Sequence, residues 1–230
     1  MSSSWHTAQT KSNYHFDPTR IDPKWDTVIP VGCLTADWTA CTQSILDQSR
    51  PATWATRGYA GRDIAPPDAE LAAEHADLDR IGMPRDFHLT DLAWDLPPVL
   101  AQVVNLFALD DVMARIHVQR PGQLWNLHID KLQKWCPSHP ERVKRFMIQI
   151  TDWQPGHFWS YGNYVYQGWR AGDVTTFDWQ HVPHATANAG HTARITLQLT
   201  GIASPDTDLT VERLHHQTYN FKEHIWQNAS

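Results

Sequence analysis

From Met113 to Ile202 the apolar residues recur at every second position, in short runs broken by glycine. Ile116 and Val118 alternate with Arg115, His117 and Gln119, and Ile195, Leu197 and Leu199 alternate with Arg194, Thr196 and Gln198. A period of two is the signature of a strand with two unlike faces, because successive side chains point to opposite sides. The pattern predicts strands at Met113–Gln119, Leu124–His128, Lys144–Trp153, Phe158–Tyr161, Tyr164–Gln167, Asp173–Asp178 and His191–Ile202. Gly156, Gly162, Gly168, Gly172 and Gly190 punctuate them. Many short strands at this spacing fold as a sandwich or a closed barrel, and the pattern alone leaves both open.

The flanks read differently. Residues 1–30 are rich in Ser, Thr, Asp and Pro and are expected to form an arm. A helix is expected after Thr35 as N-cap, with Trp38, Cys41 and Ile45 on one face and Pro51 beyond its end. Pro66-Pro67-Asp68 begins a second helical pattern through Leu71, His75, Leu78 and Ile81. A third is expected from Asp95, with Pro97 and Pro98 in its first turn and Val99, Leu100, Val103, Val104 and Phe107 as a wide apolar stripe. The tail from Thr210 to Trp226 is expected to be helical. With 230 residues and no linker, the expectation is one domain: arm and helices over 1–112, strands over 113–202 and the tail over 203–230.

Composition narrows the setting. A net charge of −6 disfavours a nucleic-acid binder. The three cysteines, Cys33, Cys41 and Cys136, are an odd, scattered set that supports neither a disulfide framework nor a Cys-rich zinc site. Met1 to Asp17 lacks the apolar core of a signal peptide, and no run approaches a membrane span. The expectation is a soluble cytoplasmic protein. Twelve tryptophans suit pockets in which an apolar ring face meets a polar tip.

One constellation carries chemistry. His128 and Asp130 form an H-x-D pair expected on one strand face, and His184 follows at Val182-Pro183-His184. Two neutral imidazoles and one carboxylate make up the 2-His-1-carboxylate triad, which holds non-haem Fe(II) and leaves coordination positions open. His181 competes for the third place, but Pro183 and the ten-residue spacing to Arg194 favour His184. Arg194 offers a planar fork for a carboxylate and shares a strand face with Thr196.

Those residues, His128-x-Asp130, His184 and Arg194-x-Thr196, resemble the H-x-D…H…R-x-S/T arrangement of the Fe(II)/2-oxoglutarate-dependent oxygenases. The resemblance spans Met113 to Ile202, and the nearest subgroups are the aspartyl/asparaginyl and prolyl hydroxylases. It implies a mainly β fold with flanking helices around a double-stranded β-helix, the cupin-like jelly roll. It also implies Fe(II) on His128, Asp130 and His184, with 2-oxoglutarate held by Arg194 and Thr196. O2 and an amino-acid or peptidyl substrate would complete the reaction. A halogenating relative lacks the carboxylate, so Asp130 points to hydroxylation.

Several residues admit a blander account. Arg57, in the Gly-rich segment Ala52–Asp63, is a substrate candidate on what reads first as a surface loop. Trp125 and Trp179 lie nearest the ligands in sequence and are candidates for touching substrate, although tryptophans here also suit the core. Lys131, Lys134, Lys144 and Arg145 read as a solvated basic loop before they read as a substrate clamp. The polar faces Arg115/His117/Gln119 and Met147/Gln149/Thr151 fit solvent and a wet barrel interior equally. The competing functions are a cupin-type metalloenzyme that uses no 2-oxoglutarate and a non-catalytic binding module.

Overall fold

The structure is a computed structural model that describes residues 28–51, 76, 79–80, 91–93 and 95–229. The ordered elements are β1 (Ile29–Thr35), α1 (Trp38–Gln48), β2 (Arg50–Pro51), β3 (Asp91–Ala93), α2 (Pro98–Phe107), β4 (Asp110–Gln119), β5 (Leu124–His128), β6 (Val143–Gln149), β7 (His157–Tyr161), β8 (Tyr164–Tyr166), β9 (Asp173–Thr176), β10 (His184–Asn188), β11 (Arg194–Ile202), α3 (Pro205–Leu214), β12 (Gln217–Asn220) and β13 (Ile225–Asn228). The Ala52–Asp63 segment with Arg57 lies outside the described residues. So does most of the second expected helix, including His75; residues 76, 79 and 80 of it are helical.

Nine strands form one sheet in the order β13-β12-β1-β9-β6-β11-β4-β3-β2, and four form a second in the order β5-β10-β7-β8. From β4 to β11 the chain passes repeatedly from the large sheet to the small one and back. That winding is a double-stranded β-helix. The fold is mainly β with flanking helices, as the strand pattern and the motif together imply.

The two faces of the large sheet explain the alternation in the sequence. Ile116, Val118, Phe146, Ile148, Val174, Ile195, Leu197 and Leu199 turn outward, and Cys41, Ile45, Leu100, Val103, Phe107 and Leu214 of the three helices cover them. Gln119, Gln149, Thr196, Gln198 and Thr200 occupy the opposite face and are also buried. The polar stripes therefore line the barrel interior and do not face solvent. A second apolar cluster (Leu132, Val143, Met147, Trp159, Tyr161, Trp169, Phe177, Trp179 and Val182) fills the other part of the space between the sheets.

Several boundaries differ from expectation. α1 is capped by Asp37, whose carboxylate accepts from the Ala40 N–H at 3.1 Å, and not by Thr35. Thr35 instead ends β1, which pairs with β9 and with β12, so sheet hydrogen bonding outweighs its capping preference. α2 has Pro97 at its N-cap with no side-chain cap, and Asp95 contributes its carbonyl to Gln48 Nε2. The tail is helical only over Pro205–Leu214, where Ser204 and Thr207 form a capping box. Beyond it, β12 and β13 make a hairpin that extends the large sheet, with Tyr219 paired to Trp226. The loop between β5 and β6 contains two 3-10 turns, Gln133–Trp135 and Pro140–Arg142. Among the described residues no helix is long and apolar enough to cross a membrane.

His157 fixes the end of the barrel that Arg194 enters. Its Nδ1 accepts from the Gln154 N–H at 3.2 Å, and its Nε2 then donates to the Thr192 carbonyl at 3.2 Å, a pattern open only to the neutral ring. Burial, with the Arg194 charge adding to it, lowers its pKa, although the bond to Thr192 opposes the shift. The stability this residue contributes is thus complete above its unfolded pKa of about 6.5, and is lost as pH falls from there toward its folded value. Chemical denaturation of wild type and His157→Gln between pH 7.5 and 5 should give a smaller acid-side loss of stability in the variant. Parallel curves would mean that His157 titrates in the folded chain as it does in the unfolded one.

Candidate metal centre

The small sheet positions both histidines. His128 ends β5 and is the direct cross-strand partner of His184, the first residue of β10. Their rings lie 4.2 Å apart between centroids. β5 stops at His128, so Asp130 lies beyond the strand, and strand alternation does not aim it as the sequence suggested. Its carboxylate nevertheless reaches both rings: Oδ1 is 3.8 Å from His128 Nε2, and Oδ2 is 3.7 Å from His184 Nε2. One donor atom from each of the three residues falls within 4.8 Å of the others, the only such group of three or more among the described residues.

The donor chemistry suits a divalent metal. His184 Nδ1 faces the Val182 carbonyl at 3.2 Å, which assigns the proton to Nδ1 and leaves the Nε2 lone pair toward Asp130. Burial, reinforced by His128, pushes the His184 pKa down to about 3, so the ring is neutral. Burial alone would raise the Asp130 pKa; Arg145, His184 and His128 together outweigh it and hold the carboxyl below its ordinary value. The site offers one carboxylate and two imidazoles, of which that of His184 is neutral. Octahedral bonds of about 2.1 Å need neighbouring donors about 3 Å apart, so a set that lies within 4.8 Å contracts by up to about 2 Å to close.

Arg145 is a correction to the sequence reading. It is not part of a solvated basic loop: it sits on the inner face of β6, opposite Thr200, is buried, and pairs with Asp130 Oδ2 while its Nε donates to Thr200 Oγ1 at 3.1 Å. Arg145 lies two residues before Met147 and four before Gln149, so extending that stripe backwards identifies it. His181 is also settled by its surroundings: it is exposed and bonded to Asp178 at 2.8 Å.

No protein-family model and no curated protein matches the sequence. Among solved structures the chain is similar to a non-heme monooxygenase, ThoJ, in complex with nickel, at 18% identity and a TM-score of 0.43, covering 77% of this chain and 74% of that one. It is similar to a Cupin 2 conserved barrel domain protein from Salinispora arenicola, at 16% identity and a TM-score of 0.28, covering 44% and 71%. It is also similar to an uncharacterized protein with a double-stranded beta-helix domain from Klebsiella pneumoniae, at 18% identity and a TM-score of 0.29, covering 40% and 65%.

Arg194 enters the barrel at the end away from Arg145, with five residues of β11 between the two positions that face Gln119 and Arg145. It is 3% exposed, its guanidinium carbon lies 4.4 Å over the Trp159 ring, and its Nε and Nη1 have no hydrogen-bond partner. Burial lowers its pKa to about 9, which still leaves it charged near neutrality. Tyr161 sits between the two ends. It is the cross-strand partner of His184, with ring centroids 6.1 Å apart, and its hydroxyl is buried facing Thr175 without a well-formed hydrogen bond. Thr175 Oγ1 and Gln149 Nε2 are buried and unpartnered as well. Unpaired buried donors of this kind are costly unless something accepts from them. Thr196 does not present a free hydroxyl: its Oγ1 donates to Gln149 Oε1 at 3.1 Å, so it acts through Gln149.

The remaining candidates separate. Trp125 is half-buried, 6.0 Å from His128 and edge-on to His117 at 5.5 Å, beside the more open flank of the triad. Trp179 is 3% exposed and donates its indole N–H to the Val143 carbonyl, which commits it to the inner core. The sequence singles out neither Tyr161 nor Thr175, and offers Gln149 only as one residue of the Met147/Gln149/Thr151 stripe. Once His184 is chosen, cross-strand pairing identifies Tyr161, but that pairing is not readable from spacing.

The geometry predicts metal-linked stability. A divalent ion at about 100 times its Kd stabilises by about 2.7 kcal/mol, which in a chain of this size raises Tm by about 5–10 °C. Differential scanning fluorimetry with Mn(II) or Co(II) should show that rise in wild type and no rise in Asp130→Asn. Equal shifts in both would move the metal elsewhere.

Proposed function

We propose that this chain is an Fe(II)- and 2-oxoglutarate-dependent oxygenase that hydroxylates an unactivated C–H bond of an amino acid or peptidyl side chain. The observation that carries the reading is the pairing, inside one barrel, of the His128/Asp130/His184 set with a buried Arg194 whose Nε and Nη1 are unpartnered. A dicarboxylate with one end at the triad and the other at Arg194 would satisfy those donors. Fe(II) bound by the triad would supply O2 activation coupled to oxidative decarboxylation of 2-oxoglutarate to succinate and CO2.

The roles of the chain's own residues follow from their surroundings. Arg194 presents two donors to a carboxylate in a site sheltered from solvent, where charge-assisted hydrogen bonds are strong. Trp159 beneath it keeps the guanidinium plane fixed. Burial raises the Tyr161 pKa well above its ordinary value, so its hydroxyl stays neutral and is available as a donor or acceptor. Phe177, 4.7 Å from the His184 ring, with Trp159 and Met147 walls off water on the closed side. Substrate is placed on the opposite flank, by Trp125 and His128. Residues 113–202 carry this chemistry within one oxygenase domain. The proposed partners are a small-molecule or peptidyl substrate, with neither nucleic acid nor membrane, and three free cysteines suit a reducing cytoplasm.

Arg194→Gln tests the co-substrate assignment. Truncating one side of a buried charge pair costs about 2–5 kcal/mol, so the 2-oxoglutarate concentration needed for half-maximal succinate release should rise at least about thirtyfold. Metal affinity should be unchanged. An unchanged 2-oxoglutarate requirement would favour a barrel metalloenzyme that does not use this co-substrate.

A further inference from the structure

Asp130 lies past the end of β5, so the sheet does not aim its carboxylate. One of its two oxygens, Oδ2, is engaged by Arg145. This guanidinium is itself fixed from two sides: by β6, whose pairing with β11 sets Arg145 opposite Thr200, and by the Nε donation to Thr200 Oγ1 at 3.1 Å. Its Nη1 is bonded to Asp130 Oδ2, the oxygen that also faces His184, while Oδ1 faces His128 Nε2. Both partners are at least nine-tenths buried. A charge-assisted bond in such surroundings is short, strong and directional.

We propose that Arg145 is the positioning residue of the triad: by claiming Asp130 Oδ2 it confines the carboxylate to single-oxygen ligation through Oδ1, which keeps open the position a chelating co-substrate needs. This rests on reading His128, Asp130 and His184 as a metal site. Carboxylates bind metals through one oxygen or two. Two imidazoles and a two-oxygen carboxylate fill four of six octahedral positions, leaving too few for a two-point co-substrate and O2 together. With one oxygen engaged by Arg145, three protein donors leave three positions. Arg145 also returns the positive charge that Asp130 removes, which favours an anionic co-substrate at the metal.

This division of labour separates two affinities that a merely structural role would move together. Removing Arg145 frees Oδ2 for the metal, so metal binding persists while co-substrate chelation fails. Losing a scaffold residue would weaken both.

The experiment uses the full chain in three forms: wild type, Arg145→Met and Thr200→Val. The valine substitution is near-isosteric and removes only the acceptor that orients Arg145, so it reports even if Arg145→Met does not fold. Calorimetric titration with Co(II) measures metal affinity. Anaerobic titration of 2-oxoglutarate into the Fe(II)-loaded protein, followed by the weak visible metal-to-ligand charge-transfer band, measures chelation. The expected result is Co(II) affinity within about threefold of wild type in both variants. The half-saturating 2-oxoglutarate concentration should rise at least tenfold in Arg145→Met and by a smaller factor in Thr200→Val. Arg145→Lys, which restores a charge and one donor, should recover part of the band. The proposal is overturned if Co(II) affinity falls together with the band, or if the band titrates as in wild type in both variants. Failure of wild type itself to bind Co(II) would instead overturn the metal-site reading beneath it.

Discussion

The buried ion pair between Asp130 and Arg145 is the contact on which the rest of the site depends. It joins the end of the small sheet to the inner face of the large one. Two charges removed from water are tolerable only when geometry and further hydrogen bonds compensate them, and here Thr200 supplies one such bond while two histidines flank the carboxylate. Breaking one side would leave the other charge stranded in the barrel. The same pair engages one of the two carboxylate oxygens that face the imidazoles, so fold and prospective chemistry share one interaction.

The architecture follows from a sheet with two buried faces of opposite character. The outer face of the large sheet is apolar and covered by helices, which supplies most of the hydrophobic driving force. The inner face is polar yet also buried, an arrangement that costs stability unless each donor finds an acceptor. Gln119 meets it by donating to Thr186 at 2.9 Å, and Asn188 by donating to the Gln119 and Thr192 carbonyls, each at 2.8 Å. Arg194, Tyr161, Thr175 and the Gln149 amide do not. Trp159 Nε1 and the Gln198 amide, on the same interior, are unpartnered too, and violations gathered between the two sheets are what a binding site is expected to look like.

Much of this was legible in the chain. The alternation around Ile116 and Ile195 marked the strands and their two faces, and His128, Asp130 and His184 were recognisable by type and order. Arg145 was not, because Lys131, Lys134 and Lys144 surround it with a basic composition that reads as solvent-facing; only the inward register of β6 distinguishes it. Thr35 misled for a similar reason. Its capping preference is local, while the strand pairing that claims it involves residues well over a hundred positions away. The hairpin at the end of the chain was missed because Tyr219 and Trp226 declare themselves only by pairing across it. The contacts that escaped sequence reading were long-range ones, and those that it caught were set by local period.

In the proposed function, one barrel interior holds a metal at one end and grips a carboxylate at the other. A crystal structure of the protein grown anaerobically with Fe(II) and 2-oxoglutarate tests it most directly. The expected result is metal density bonded to His128, Asp130 and His184, with continuous co-substrate density running from the metal to the Arg194 guanidinium. Metal density away from those three side chains, or a co-substrate bound without touching Arg194, would contradict it.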